Sequence, residues 1–159
     1  MSQGGRAVTS GNVLENCVEG TLQGHGYLQV GCDLPRKQRL QCLLSANNIP
    51  KRYARQVDIG PGIYGSDINV DFYIIGSSPA SGLIIECKWQ QSSGSVDEKL
   101  PYLNLNIQNC YPTQAIVLID GGGAKPQAIS WLETQVVSNQ NLLAVFDLRG
   151  FITWSNNNL

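Results

Sequence analysis

The sequence predicts an α/β protein in which helices flank a central sheet. Three observations lead to this prediction. Segments with apolar residues at helical spacing alternate along the chain with short segments rich in β-branched and aromatic residues. Glycine, proline and asparagine occur at the breaks between these segments. Hydrophobic residues make up 42% and charged residues 14% of the 159 residues, so the chain has enough apolar material for a packed core.

Four segments are predicted to be helices. Residues 12–23 have apolar side chains at four-residue spacing, and Ser10 or Asn12 is the expected cap at the start of this helix. The other predicted helices span residues 35–46, 96–108 and 126–138. In the segments 35–46 and 96–108, leucine spacing gives each helix one apolar side, which we expect to be buried against the sheet.

Extended segments are predicted between and after these helices. Residues 68–75 (INVDFYII) and 83–89 (LIIECKW) are predicted strands, joined by a hairpin loop at residues 76–82 (GSSPASG). The wholly apolar run AIVLI at residues 115–119 is typical of a central buried strand. Further extended segments are predicted at residues 27–30, 52–59, 142–148 and 151–154.

One segment of the chain is strongly basic, although the whole chain has a formal net charge of −1. Residues 34–57 contain no acidic residue. The six basic residues of this segment are Arg36, Lys37, Arg39, Lys51, Arg52 and Arg55. A local positive surface attracts a polyanion whatever the global charge, so this segment predicts contact with nucleic acid. A solvated loop or helix face is the alternative interpretation.

The N-terminal residues and the cysteines predict where the protein is found. The first residues are polar, and no apolar run is long enough for a secretion signal or a membrane span. The five cysteines are scattered without a CxxC pair, and the chain has one histidine. These features argue against a zinc site and a disulfide framework, and they predict a cytoplasmic protein that does not bind a membrane.

The strand at residues 83–89 carries two charges that an ordinary buried strand would avoid. Side chains alternate along a strand, so Glu86 and Lys88 face the same side. Burying unpaired charge is costly, and a structural salt bridge on an edge strand is one explanation. Asp71 favours another, because a hairpin would bring it beside this pair. Two carboxylates at one point of a sheet are suited to a hard divalent cation such as Mg²⁺.

This arrangement resembles the active site of the PD-(D/E)XK nuclease superfamily, which includes type II restriction enzymes, Holliday-junction resolvases, RecB-type nuclease domains and homing endonucleases. The resemblance covers residues 11–119. It implies a restriction-endonuclease-like core, with Asp71 and Glu86 as ligands of Mg²⁺, for which Mn²⁺ is expected to substitute. Lys88 would orient or help to deprotonate the attacking water, or stabilise charge on the phosphorus. Val70 stands where the family pattern has proline, and Asp67 is a rival to Asp71.

The resemblance implies roles for several further polar residues. Glu15, in the first predicted helix, is the preferred additional metal ligand, and Glu19 is the second choice; a solvated helix face would also explain both. Gln90 lies two residues beyond the lysine of the motif and is assigned to the catalytic group. Lys99 and Tyr102, on the helix that follows the motif, are candidate contacts for substrate phosphate, although both also fit an ordinary surface.

These inferences together predict a magnesium-dependent DNA endonuclease. We expect one nuclease-like domain over residues 1–159, with a basic insertion at about residues 34–57 that holds duplex or branched DNA. One site per chain predicts a homodimer or higher homo-oligomer for cutting both strands of a duplex. Restriction, homing and resolvase or repair roles stay open. The alternative function is a non-catalytic nucleic-acid-binding module built on a nuclease fold.

Overall fold

A computed structural model describes residues 3–76 and 82–159 of the chain, with side chains described from residue 12 onward. In this part of the chain, helices cover both faces of a six-stranded mixed sheet, which confirms the predicted α/β class and restriction-endonuclease-like core. The helices are α1 (Gln3–Gly24), α2 (Arg36–Ser45), α3 (Val96–Cys110), α4 (Pro126–Gln135) and α5 (Leu148–Asn158). The strands are β1 (Leu28–Gln29), β2 (Arg52–Pro61), β3 (Asp67–Ile75), β4 (Leu83–Trp89), β5 (Ala115–Asp120) and β6 (Leu142–Phe146).

The strands lie in the sheet in the order in which they occur along the chain. β1 pairs with β2 in parallel, and β2, β3 and β4 pair antiparallel. β4, β5 and β6 are parallel to one another. β4 therefore lies at the junction between the antiparallel and the parallel parts of the sheet, where both of its faces are covered.

The core consists of two apolar layers, one on each face of the sheet. On one face, Leu14, Val18 and Leu22 of α1 and Phe151 of α5 are buried against alternate residues of the central strands, including Ile85. On the other face, the side chains that pack on the sheet come from α2, α3 and α4. Alternate side chains of β4 therefore enter different helical layers, which places the motif of this strand next to α3 on one side and α1 on the other.

The predicted strand at residues 151–154 is wrong, because these residues belong to α5. Asp147 is the N-cap of this helix, and its Oδ1 accepts a hydrogen bond from the Gly150 backbone N at 2.7 Å. Phe151 and Trp154 are three residues apart, and their ring centroids lie 6.3 Å apart in a stacked arrangement. The apolar run resembles a short strand, but the packing of buried Phe151 and half-buried Trp154 at helical spacing favours a helix.

The first helix is longer than predicted. α1 begins at Gln3, so Ser10 and Asn12 lie inside it and neither caps its start. At 22 residues it is also the longest of the described helices, and none of them is long and apolar enough to cross a membrane. The other predicted helices are confirmed to within a few residues at their ends. Residues 77–81 of the predicted hairpin loop lie outside the described residues.

Candidate active site

Asp71 lies at the point where β3 and β4 separate. The β3–β4 ladder pairs Phe72 with Ile85 as its last pair on this side. Beyond that pair, the backbone N of Cys87 donates a hydrogen bond to Asp71 Oδ2 at 2.8 Å. Gln56 on β2 donates its side-chain Nε2 to Asp71 Oδ1 at 3.2 Å, from a backbone with a φ of 50°. The carboxylate of Asp71 is therefore held by groups from both neighbouring strands.

Glu86 and Lys88 lie on the α3 side of the sheet, in one cavity. Glu86 is 3% exposed, and Lys88 Nζ lies 3.9 Å from Glu86 Oε2. Burial raises the pKa of Glu86 to about 8; Lys88 lowers this pKa and the charge of Asp71 raises it. Burial alone would lower the pKa of Lys88, but the charges of Glu86 and Asp71 outweigh burial and raise it. Glu86 therefore keeps a proton at neutral pH, and a bound cation would stabilise its charged form in place of that proton.

Tyr111 is a residue of this site that the sequence analysis missed. Its Oη donates a hydrogen bond to Glu86 Oε1 at 2.5 Å, and the residue is 6% exposed. Burial, followed by the charge of Glu86, raises the pKa of Tyr111, so the hydroxyl stays protonated and remains a donor. The parallel pairing of β4 with β5 explains its position. Ala115 on β5 pairs with Ile84 on β4, so the residues between α3 and β5, which include Tyr111, lie beside the start of the motif.

Replacing Tyr111 with phenylalanine is expected to raise the magnesium concentration needed for half-maximal thermal stabilisation by about tenfold. The phenyl ring keeps the packing, but Glu86 loses the donor that holds its carboxylate. The measurement is a magnesium titration of the melting temperature, together with thermal unfolding in EDTA. An unchanged magnesium requirement with a lower melting temperature would show that Tyr111 stabilises only the fold.

Glu15 and Glu19 lie one turn apart on α1, and both pair with Arg55. The Arg55 Nη2–Glu15 Oε2 distance is 2.7 Å, and the Nη1–Glu19 Oε1 distance is 3.2 Å. Glu19 also accepts a hydrogen bond from Tyr53 Oη at 2.9 Å. Burial, followed by the charge of Asp71, raises the pKa of Glu15. Glu15 is thus electrostatically coupled to the Asp71 site, while Glu19 is held in a structural network.

Gln90 is buried, and both polar atoms of its side-chain amide form hydrogen bonds to the backbone. Its Oε1 accepts a hydrogen bond from the Val96 backbone N at 2.8 Å, and its Nε2 donates to the Gly123 carbonyl at 3.2 Å. The backbone approaches closely here, because a Cβ at Gly121 would lie 2.4 Å from the Gln90 carbonyl oxygen. These bonds hold the start of α3 and do not involve Glu86 or the other motif residues. We therefore assign Gln90 to positioning α3 rather than to the catalytic group.

A cleft of about 330 Å³ opens between the sheet and α3. Its polar lining consists of Asp67, Asn69, Glu86, Lys88, Lys99, Tyr102, Asn106 and Tyr111. Asp67 lies at the rim, where it forms a 3.2 Å ion pair with Lys37 on α2 and is 45% exposed. Asp67 therefore lines the cleft at its rim, whereas Asp71 lies where β3 and β4 separate and accepts a hydrogen bond from each neighbouring strand. Lys99 and Tyr102 lie on the α3 wall, facing the motif.

The six basic residues of the segment 34–57 do not form one surface. Arg36 and Lys37 are exposed at the start of α2. Arg39 donates to the backbone carbonyls of Leu34 and Arg55, and Lys51 donates to those of His25 and Leu159. Arg55 pairs with the two glutamates of α1. Charge along the sequence therefore overestimates the basic surface.

Arg52 is the clearest correction to the predicted DNA contacts. It is 6% exposed, and its Nε donates to the Leu43 carbonyl at 2.6 Å. Its other guanidinium nitrogens donate to the carbonyls of Ile49, at 3.0 Å, and Leu44, at 3.4 Å. These carbonyls lie at and just beyond the end of α2, where helix carbonyls have no partners within the helix. Arg52 thus stabilises the fold.

Replacing Arg52 with methionine is expected to lower the free energy of unfolding by about 3 kcal/mol, because buried carbonyls lose their donors. Arg36→Ala is the matched control, since Arg36 is an exposed residue of the same basic segment; its effect should stay within about 0.5 kcal/mol. Urea unfolding of both variants provides the measurement. Equal stabilities would contradict the structural role of Arg52.

The donor set at the motif fits a hard divalent cation. Within the described residues, no group of three or more histidine, cysteine, aspartate and glutamate side chains is close enough to hold a metal ion. Asp71 and Glu86 nevertheless form a pair of coupled carboxylates, and proteins commonly bind Mg²⁺ through one or two carboxylates while water supplies the other ligands. Glu15 pairs with Arg55 through its Oε2 and is not part of such a group among the described residues.

Comparison with known families agrees with the fold. The chain matches the family model described as a PD-(D/E)XK nuclease superfamily domain over residues 6–159. This chain therefore belongs to the PD-(D/E)XK nuclease superfamily. Membership supports a nuclease function and implies a nucleic-acid substrate. A search of curated proteins and a search of solved structures each found no match.

Proposed function

We propose that this protein is a magnesium-dependent DNA endonuclease whose active site consists of Asp71, Glu86 and Lys88. The observation that carries the proposal is the buried Glu86 carboxylate, which has a raised pKa and lies beside both Asp71 and a lysine in an open cleft. A carboxylate in this setting is unfavourable for stability but suited to binding a cation. The family match supports the same chemistry.

The proposed mechanism assigns a separate task to each side chain. Asp71 and Glu86 would hold Mg²⁺ or Mn²⁺, which supplies Lewis acidity and lowers the pKa of a bound water. The raised pKa of Lys88 keeps its side chain an ammonium group at neutral pH. It would orient the water and stabilise the negative charge that develops on the phosphate, rather than abstract a proton. Lys99, on the opposite wall of the cleft, would contact a phosphate of the same strand.

The proposed path of DNA runs from the cleft toward the start of α2. Lys37 pairs with Asp67, which also lines the cleft, so the exposed Arg36 and Lys37 lie next to the site. Surface cations contribute to nucleic-acid affinity through phosphate contacts and counterion release. We propose that two copies act together on duplex DNA, because a single site cuts one strand at a time.

The test of this function is a cleavage assay on a supercoiled plasmid, a linear duplex and a four-way junction, with magnesium and with EDTA. We expect cutting that requires magnesium and is lost in Asp71→Asn, which keeps an acceptor oxygen for the Cys87 amide but removes the charge. Cutting that persists in EDTA would contradict the metal-dependent mechanism. Binding without cutting of any substrate would favour the non-catalytic binding module.

The two glutamates of α1 provide a matched pair of variants. Glu15→Gln is expected to raise the magnesium concentration for half-maximal cleavage by about tenfold, while Glu19→Gln leaves it unchanged. Both variants weaken a bond to Arg55, so the comparison isolates the coupling of Glu15 to Asp71. Magnesium titrations of the cleavage rate measure the effect. Equal shifts in the two variants would show that Glu15 acts only through Arg55.

A further inference from the structure

An aromatic side chain is presented to solvent beside the cleft. Tyr64, in the loop between β2 and β3, is 80% exposed. One face of its ring is stacked on Tyr102 of α3, with the ring centroids 4.9 Å apart and the planes inclined by 24°. A tyrosine this exposed can pack its other face against a further planar group.

The loop that carries Tyr64 is held against α3. The Ile63 backbone N donates to Asn106 Oδ1 at 2.9 Å, and the Gly62 backbone N donates to the Ser66 carbonyl at 2.8 Å. A Cβ at Gly62 would lie 2.8 Å from Asn106 Oδ1, so the loop packs on the helix as closely as a glycine allows. The backbone of the loop that carries Tyr64 is therefore held in place by contacts within the protein.

The stacked pair is continuous with the proposed active site. Tyr102 and Asn106 line the cleft that also contains Glu86 and Lys88, and Lys99 lies one turn before Tyr102 on the same helix. A nucleic-acid strand with a phosphate in this cleft would have an adjacent nucleotide within reach of the pair. Aromatic rings and lysines that follow a groove together are typical of surfaces that bind single-stranded nucleic acid.

The chemistry of a tyrosine ring selects among nucleic-acid structures. In a duplex, the faces of each base are covered by its neighbours, so a protein ring cannot stack on them without unstacking the base. An unpaired base has an open face, and stacking on an aromatic side chain is tolerant of sequence. Tyr64 and Tyr102 thus favour a substrate in which bases next to the scissile phosphate are unpaired.

We propose that Tyr64, supported by Tyr102, stacks on an unpaired base of the DNA strand that is cut. The preferred substrate class is then DNA with a single-stranded segment, such as an overhang, a flap or a branch. This inference rests on the proposed function, which places the DNA strand in the cleft. The stacking itself is measured separately from cleavage.

The experiment measures DNA binding in EDTA, where no cleavage is expected, with a blunt duplex and the same duplex carrying a single-stranded overhang that contains 2-aminopurine. Tyr64→Leu is expected to weaken binding of the overhang about tenfold and to leave binding of the blunt duplex unchanged. Stacking should quench 2-aminopurine fluorescence with the wild-type protein and not with Tyr64→Leu. Tyr64→Phe is the matched control, since it keeps the ring, and it should behave as the wild type.

Several outcomes would overturn the inference. Equal losses of affinity for both DNAs, or no loss for either, would show that Tyr64 does not recognise unpaired bases. A changed oligomeric state of Tyr64→Leu without a change in overhang binding would show that the ring belongs to an interface. If overhang binding depends on Tyr64 but nothing is cut with magnesium, the endonuclease proposal fails and the stacking site stands. If magnesium supports cutting that Tyr64→Leu leaves unchanged for every substrate, only the stacking site fails.

Discussion

Lys88→Met is expected to lower the rate of magnesium-dependent DNA cleavage by about a thousandfold, with little change in the fold. Methionine keeps the apolar stem of the side chain but removes the ammonium group that lies 3.9 Å from Glu86 Oε2. Lys88 also lowers the pKa of Glu86, so its loss makes proton binding compete more strongly with the cation. Single-turnover cleavage at saturating magnesium measures the chemical step.

The matched control for this variant is Lys125→Met. Lys125 is an exposed lysine at the N-cap of α4 and does not line the cleft between the sheet and α3. Its loss removes the same charge from the protein but should leave the cleavage rate unchanged. A Lys88→Met rate within about tenfold of the wild-type rate would contradict an electrostatic role in the transition state.

Glu86→Gln is expected to stabilise the protein in the absence of divalent cations and to abolish its stabilisation by magnesium. The pKa of Glu86 is raised from 4.5 to about 8 in the folded state, chiefly by burial. The stability that this bound proton provides is fully present below the unfolded pKa and is lost as the pH rises through about 8. Above that pH the wild type contains a buried charge, whereas glutamine is neutral at every pH.

The expected difference in the free energy of unfolding is about 5 kcal/mol at high pH. It should be smallest at about pH 5 and should grow until the pH passes the folded pKa. Urea unfolding in EDTA across this range measures it, and repetition with magnesium tests the loss of cation binding. Glu133→Gln, at an exposed carboxylate of α4, is the control. If both variants differ from the wild type by the same pH-dependent free energy of unfolding, the titration of buried Glu86 does not account for the difference.

The sequence was sufficient to predict the two strands that build the site, because local rules determine them. The runs around Asp71 and Glu86 combine β-branched residues with charges at positions that alternate across a strand. This pattern specifies the strand and places Glu86 and Lys88 on the same side of it. Their proximity to α3 then follows from the parallel β4–β5 pair, which requires a crossover helix.

Contacts between distant segments could not be predicted in this way. Arg55 pairs with Glu19 and Glu15, which precede it by 36 and 40 residues. The charge along the chain assigned Arg55 to a DNA surface, because it does not show that these partners lie nearby on α1. Tyr111 reaches Glu86 across 25 residues. The stacking of Tyr64 on Tyr102 depends on the loop folding against α3, which no local pattern predicts. The apolar run that begins at Phe151 was ambiguous, because four residues contain too few turns to separate helical from strand periodicity.

The hydrogen bond from Cys87 to Asp71 has a consequence for how such a protein would change over evolutionary time. The same carboxylate closes the gap between two strands and, in the proposed chemistry, contributes to cutting DNA. A descendant that no longer cuts DNA would still need an acceptor oxygen there, so asparagine is the tolerated replacement. Among the described residues, the side chains of Glu86 and Lys88 contact other side chains and form no hydrogen bond to the backbone. We therefore expect inactivated descendants to lose the glutamate and the lysine first, and a retained aspartate alone to be a poor sign of an active nuclease.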